Sequence, residues 1–209
     1  ITKGVFKVGN TVIDALLAES SKNLVPLYLK NVDIALYKII LTTFHRRENW
    51  GKKIDEICDS ILEILQINKK AFFIIPMHKN KIVRNTIIKK LSNQSRVILT
   101  EPLGYTDLIA TMKISHFILT DSGGIQEEAP SLGKPVLVLR NKTEREEAIN
   151  VGTAKLVGTN KEKIINESIK LISDESHYKN MSAINNPFGD GKSSRRILDI
   201  CESFLKGDI

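Results

Sequence analysis

Six short apolar runs punctuate the chain, and helical patterns fill most of the intervals between them. The runs are YKIILTT, AFFIIP, RVILTE, HFILT, PVLVLR and TAKLVG. Each has the length of a buried strand and is rich in large or β-branched residues. The apolar spacing predicts helices over 48–67, 81–91 and 105–113, and a further helix over IQEEAPSL that stops at Gly133. Helices over about 161–173 and 192–206 close the pattern. Alternation of strands with helices requires crossover connections, so it predicts an α/β fold with a parallel, doubly wound sheet. Ahead of this pattern, GVFKVGNTVIDALLAES reads as a glycine turn entering a helix capped by Asn10 or Thr11. SSKNLVPLYLKN reads as a connector.

With 209 residues the chain can bury one sizeable core. No stretch approaches the roughly 20 apolar residues that a spanning helix needs, and the N-terminus lacks a signal-peptide pattern. The chain starts at Ile1 without an initiator methionine, as expected of a fragment or a processed product. Cys58 falls on the apolar stripe of Ile54, Ile57, Ile61 and Leu65, so a reduced core thiol and a cytoplasmic protein are expected. The formal charge is +7. Its lysines are scattered (Lys69, Lys70, Lys79, Lys81, Lys89, Lys90), without a basic run or interleaved aromatics, so a solvated surface is expected rather than nucleic-acid binding.

In a doubly wound sheet, ligands bind beyond the carboxyl ends of the strands. The loop after HFILT is DSGG, and a glycine pair there lets backbone approach a ligand while the following helix amides attract phosphate. Ser122 fits an N-cap and could bond a free amide or a phosphate oxygen. Glu128 lies about one turn into that helix, near enough to reach a sugar hydroxyl. Arg145 follows the next strand, which a parallel sheet would bring to the same edge. In TFHRREN, His45 could donate a proton or a hydrogen bond to a phosphate. The plainer alternatives are that DSGG is only a tight turn, that Glu48 caps the next helix and that the arginines are surface charge.

The string DSGGIQEEAPSLGKPVLVLR, with the TER segment behind it, closely resembles the non-hydrolysing UDP-N-acetylglucosamine 2-epimerases over 20 consecutive positions. TFHRREN resembles that family's THRREN motif. PMHKN resembles its PxHxNP segment, with Lys81 where the motif has proline. EPLGYTDL resembles its loop beside the uracil, with Leu103 and Leu108 where some members place glutamine and phenylalanine. NKTEREEA keeps the family's arginine as Arg145, and NPFGDGKSSRRIL resembles the family's ending. The likeness runs from about Val8 to Ile200.

This resemblance implies two Rossmann-like domains in a GT-B-like fold, of which this chain is the C-terminal half. Residues 1–30 would form an interdomain helix or linker and residues 31–209 the UDP-binding domain, with nothing here corresponding to the N-terminal domain. It implies interconversion of UDP-N-acetylglucosamine and UDP-N-acetylmannosamine by elimination and re-addition of UDP. His45, Ser122, Gly123, Gly124 and Arg145 would face the diphosphate, with His45 also catalytic. Glu128 would hold the ribose, and Leu103 and Leu108 would lie at the base. Arg46 and His78 match a regulatory UDP-N-acetylglucosamine site of bacterial members. No metal and no cofactor is expected. The proton-moving carboxylates would come from the first domain, so the chain alone is expected to be inactive. A homodimer of the complete protein, serving polysaccharide biosynthesis, is also implied. Two alternatives stand beside this reading: the UDP-sugar-binding domain of a GT-B glycosyltransferase, and a non-catalytic UDP-sugar sensor.

Overall fold

The computed structural model describes residues 4–22 and 24–207. Its strands are β1 (Lys38–Thr43), β2 (Ala71–Pro76), β3 (Val97–Thr100), β4 (Phe117–Thr120), β5 (Val136–Val138) and β6 (Ala154–Leu156). They form one sheet in the order β3-β2-β1-β4-β5-β6, and every pairing is parallel. The doubly wound sheet is thus borne out. Chain order reverses between β1 and β4, whose register pairs Thr43 with Thr120. The loops leaving these two strands therefore face each other across the crevice where such folds bind ligands.

The helices are α1 (Thr11–Ser20), α2 (Lys52–Ile67), α3 (Lys81–Leu91), α4 (Tyr105–Ile114), α5 (Gly123–Glu128), α6 (Glu146–Val151), α7 (Lys161–Ser173), α8 (Glu175–Ser182) and α9 (Ser193–Lys206). Alternate strand residues feed two cores. Ile40, Phe73, Leu119 and Leu137 pack with α2, α3 and α7 on one face. Leu41, Ile118, Val136 and Val138 pack on the other with Leu16 of α1, Met112 of α4 and Ile125 of α5. A sheet covered on both faces accounts for the continuous apolar runs in the sequence. On α2, Ile54, Ile57, Ile61 and Ile64 are all buried, and truncating one to alanine would cost about 2–5 kcal/mol. Cys58 shares that stripe, and burial pushes its thiol up to about 12. Among the described residues no helix is long and apolar enough to cross a membrane.

The N-terminal helix is capped by the Asn10 side chain, as expected. The sequence reading sets residues 1–30 apart from the domain, yet α1 buries Ile13 and Leu16 completely, and Leu29 sits in a cluster with Ile39, Phe72 and Ile74.

Several expected boundaries move, two of them for a reason local to the backbone. The helix expected from residue 48 starts at Lys52, because residues 47–49 form a 3₁₀ turn and Gly51 adopts φ 77°. The helix expected to run to Gly133 is α-helical only to Glu128. Pro130 has no amide to donate, so Ala129–Leu132 continues as a tighter 3₁₀ turn before Gly133 at φ 64°. The run PVLVLR is strand only to Val138. Two short helices, α6 and α8, lack enough apolar periodicity to be anticipated.

At the edge of the sheet opposite the ligand crevice, His116 stacks on Tyr178 with centroids 4.1 Å apart. Its Nε2–H donates to the Leu171 carbonyl at 2.9 Å. Burial lowers its pKa from about 6.5 to about 4, with Lys38 and Lys134 adding to the effect. Between those values the unfolded chain takes up the proton and the folded chain does not. Stability from this group is therefore complete above pH 6.5 and falls as the pH drops toward 4. Thermal midpoints at pH 7 and pH 5 should differ more in the parent than in His116→Gln, which keeps a donor for Leu171. Equal differences would mean that His116 is not the group responsible.

Candidate functional site

Asp121 directly follows β4 and is completely buried. Its Oδ2 accepts from the backbone amides of His45 (2.9 Å) and Arg46 (2.8 Å) and from Nδ2 of Asn49 (3.0 Å). Nε of Arg46 donates back to the Asp121 carbonyl at 3.0 Å. Below this knot the hydroxyls of Thr43 and Thr120 share a 2.6 Å hydrogen bond. The loop after β1 is thereby fastened to the end of β4.

The second carboxylate oxygen, Oδ1, makes no hydrogen bond and lies 3.4 Å from Nδ1 of His45. With Nδ1 turned to the carboxylate, Nε2 on the far side of the ring is left for other partners. The His45 ring is half-exposed and stacks on His78 at 5.1 Å, 6° from parallel. Both line a cleft with Arg46, Arg47, Trp50 and Asn80. The backbone here is further held by Nε1 of Trp50, which donates to the His45 carbonyl at 3.1 Å.

Ser122 occupies the N-cap position of α5, but its hydroxyl makes no capping hydrogen bond. The first amides of a helix have no intrahelical partner, so this turn offers donors to an anion. The two glycines are not equivalent. A Cβ on Gly123 would lie 3.1–3.4 Å from the guanidinium of Arg145, whereas one on Gly124 would meet nothing within 4 Å. Gly123 is therefore the floor on which Arg145 rests.

Arg145 reaches this floor through a chain of contacts from α5. Nε2 of Gln126 donates to the Ser122 carbonyl at 3.0 Å, and its Oε1 accepts from Thr143 at 2.6 Å. Thr143 Oγ1 in turn accepts from the Arg145 amide at 3.1 Å. The guanidinium itself donates from Nε to Oε1 of Glu127 at 2.8 Å.

Glu128 is 5% exposed, and its Oε1 accepts from the Tyr105 hydroxyl at 2.9 Å. Burial raises its pKa above the ordinary carboxylate value; the Tyr105 hydrogen bond acts against this and Glu127 adds to it. Burial, reinforced by Glu128, pushes the Tyr105 hydroxyl up to about 12, so it remains a donor. Tyr105 opens α4, so Leu103 and Leu108 lie at the same end of the molecule. Leu108 is partly buried against the core beneath α5.

Glu48 does not cap α2. Its carboxylate accepts from Nε of the buried Arg140 at 2.9 Å, and Glu144 forms a two-point pair with the same guanidinium at 2.8 and 3.1 Å. The Arg140 partnership lowers the Glu144 pKa to about 2 and raises that of Arg140.

The candidate site residues of the sequence reading thus gather at the carboxyl edge of the sheet. His45, Arg46 and His78 share one cleft, Gly123 and Arg145 touch, and Glu128 binds the start of α4. Several members of the arrangement received no role from the sequence, among them Asp121, Asn49, Trp50, Tyr105, Gln126, Glu127 and Thr143. A carboxylate directly after a central strand is a signal for Asp121, since burial there demands donors. The others depend on contacts between distant loops. As a whole, the edge presents a guanidinium, helix-start amides, an imidazole and a buried carboxylate, a set suited to a phosphorylated and hydroxylated ligand.

Gly123→Ala should lower the thermal midpoint relative to Gly124→Ala, whose added methyl points into open space and gains about 0.5–1 kcal/mol of helix preference. Equal midpoints would mean that Arg145 moves aside freely.

A model of the family described as UDP-N-acetylglucosamine 2-epimerase matches residues 2–202 of the chain. The Escherichia coli K12 protein named UDP-N-acetylglucosamine 2-epimerase is 44% identical over 202 residues, covering 93% of this chain and 54% of that protein. A co-structure of S. aureus MnaA with UDP superposes with a TM-score of 0.92 at 42% identity, over 98% of this chain and 56% of the other. The Neisseria meningitidis UDP-GlcNAc 2-epimerase bound to UDP-GlcNAc gives a TM-score of 0.85 at 44% identity, over 97% of this chain and 55% of the other. The chain spans about half the length of the relatives it matches.

Proposed function

The chain belongs to the UDP-N-acetylglucosamine 2-epimerase family, and from that premise we propose that it is the UDP-binding half of a non-hydrolysing epimerase. The reaction is interconversion of UDP-N-acetylglucosamine and UDP-N-acetylmannosamine. The observation that carries this reading is the seating of the Arg145 guanidinium on Gly123 at the start of α5, beside a loop in which Asp121 holds His45.

The sugar C2 proton is not next to a carbonyl, so its direct removal is slow. Elimination avoids this: the C2 proton leaves, the bond from C1 to the UDP oxygen breaks, and 2-acetamidoglucal forms. Addition of UDP back to C1, with protonation of C2 on the other face, completes the inversion. The charge that grows on departing UDP falls to Arg145, the Ser122 hydroxyl, the amides of Gly123 and Gly124, and His45 Nε2, the Ser122 amide being taken by the Thr120 hydroxyl. A planar fork grips a diphosphate at two points, which a lysine cannot do. Glu128, with one oxygen occupied by Tyr105, has its second oxygen for the ribose hydroxyls. Leu103 and Leu108 pack at the base.

A further domain, of the kind that fills the other half of the relatives, supplies the proton-moving carboxylates. Ile197, Leu198, Phe204 and Leu205 of α9 are exposed and give that domain an apolar seat. The cleft shared by Arg46 and His78 is a regulatory UDP-N-acetylglucosamine site. The complete protein works as a cytoplasmic homodimer in polysaccharide biosynthesis.

Calorimetry with UDP tests the assignment of the site. Glu128→Ala should lose about 1.5–3 kcal/mol of binding, the scale of a hydrogen bond to a charged group. Arg145→Lys should also bind UDP less tightly although the charge is kept. Unchanged affinity in both variants would remove this edge of the sheet from the nucleotide site.

A further inference from the structure

Glu127 lies between the two carboxylate roles assigned above and belongs to neither. Its side chain is nearly buried, and both of its oxygens are used. Oε1 accepts from Nε of Arg145 at 2.8 Å and lies 2.8 Å from Nη2 of the same guanidinium. Oε2 accepts from Nδ2 of Asn10 at 2.8 Å. The Glu127 carbonyl accepts from Nδ2 of Asn186, also at 2.8 Å.

Asn10 and Asn186 belong to two segments that run together. The Asn10 amide donates to the Phe188 carbonyl at 2.8 Å, and the Phe188 amide returns to Oδ1 of Asn186 at 3.0 Å. Nη1 of Arg196 reaches the Val8 carbonyl at 3.3 Å. Residues 6–10 and 186–190 thus form a strap, and a groove between them opens toward Glu147, two residues beyond Arg145. Asn10 also accepts from the Val12 amide at the start of α1, so its side chain is held at both ends.

A guanidinium has five N–H donors in one plane. Glu127 engages the Nε edge, and Gly123 supports the face of the plane, so the remaining donors on Nη1 and Nη2 have a fixed direction. Fixing donors before a ligand arrives avoids their reorganisation when charge develops. Because Glu127 spends one oxygen on Arg145 and the other on the strap, displacing the strap must turn the guanidinium.

We infer that Glu127 is the positioning residue of this site: it sets the plane of Arg145 and couples that plane to the strap of residues 6–10 and 186–190. The inference rests on the reading of Arg145 as a diphosphate ligand. It concerns orientation alone, since both Glu127 oxygens are taken by Arg145 and Asn10.

The test uses the 209-residue chain and the variants Asn10→Ala, Glu127→Gln and Arg145→Ala, with UDP and uridine as calorimetric probes. Glu127→Gln should weaken UDP about tenfold and Asn10→Ala about threefold, with uridine affinity unchanged in both. In the Arg145→Ala background neither change should lower UDP affinity further. Equal losses for UDP and uridine, or losses that persist without Arg145, would assign Glu127 to packing and overturn the inference. A ligand-free readout separates this outcome from a failure of the nucleotide assignment. The Nε–H proton signal of Arg145, identified by its disappearance in Arg145→Ala, should shift in Asn10→Ala although Asn10 does not touch Arg145. A signal that stays in place would refute the coupling even if UDP binds; a shift in a chain that fails to bind UDP would uphold the coupling and refute the nucleotide reading.

Discussion

The site is held together by one buried carboxylate. A charge taken fully out of water is costly unless hydrogen bonds replace its hydration. Asp121 meets that demand with two backbone amides and an asparagine from a loop 72–76 residues earlier in the chain. Its position directly after β4 is what makes this possible, since β1 and β4 are hydrogen-bonded neighbours at the point where strand order reverses. The conformation of the His45 loop is therefore set by β4 as much as by β1. Without the carboxylate, three donors would be left facing each other in the crevice.

The same device recurs across the ligand edge. Glu127 orients Arg145, Asp121 faces His45 and anchors Arg46, and Glu48 with Glu144 hold Arg140. Arg145 and Arg140 each meet a carboxylate that fixes their direction, whereas Arg46 is held by the Asp121 backbone carbonyl. The pairing of Arg140 is complete on three donors, which makes it part of the frame. Arg145 keeps donors uncommitted, and its guanidinium lies over the first glycine of α5. Pairing has a second consequence: it moderates a positive edge that would otherwise repel itself in the absence of an anion.

Much of this was legible in the sequence because the signals are local. Strand runs buried on both faces read as uninterrupted apolar stretches, and β2 and α3 fall where the spacing puts them. DSGG, the HRREN loop and Arg145 are recognisable from residue type and from their places after strands. The sequence was silent where a side chain's role depends on a partner far along the chain. Asn10 meets Glu127 across 117 positions, and Tyr105 meets Glu128 across 23. From the sequence Gly123 reads as room for a ligand; in the structure the Arg145 guanidinium lies against it. The end of α5 and the start of α2 fall elsewhere than the spacing predicts because Pro130 and Gly51 act on backbone geometry, which apolar periodicity does not register.

The central claim is that the carboxyl edge of the sheet, organised around Asp121, is where UDP binds. Amide NMR of the 209-residue chain titrated with UDP addresses it directly. The account predicts that the largest shifts fall on the amides of His45, Ser122, Gly123, Gly124 and Arg145 and at the start of α4, with little change around His116 and α8 at the opposite edge. Shifts centred on that opposite edge, or none at saturating UDP, would contradict it.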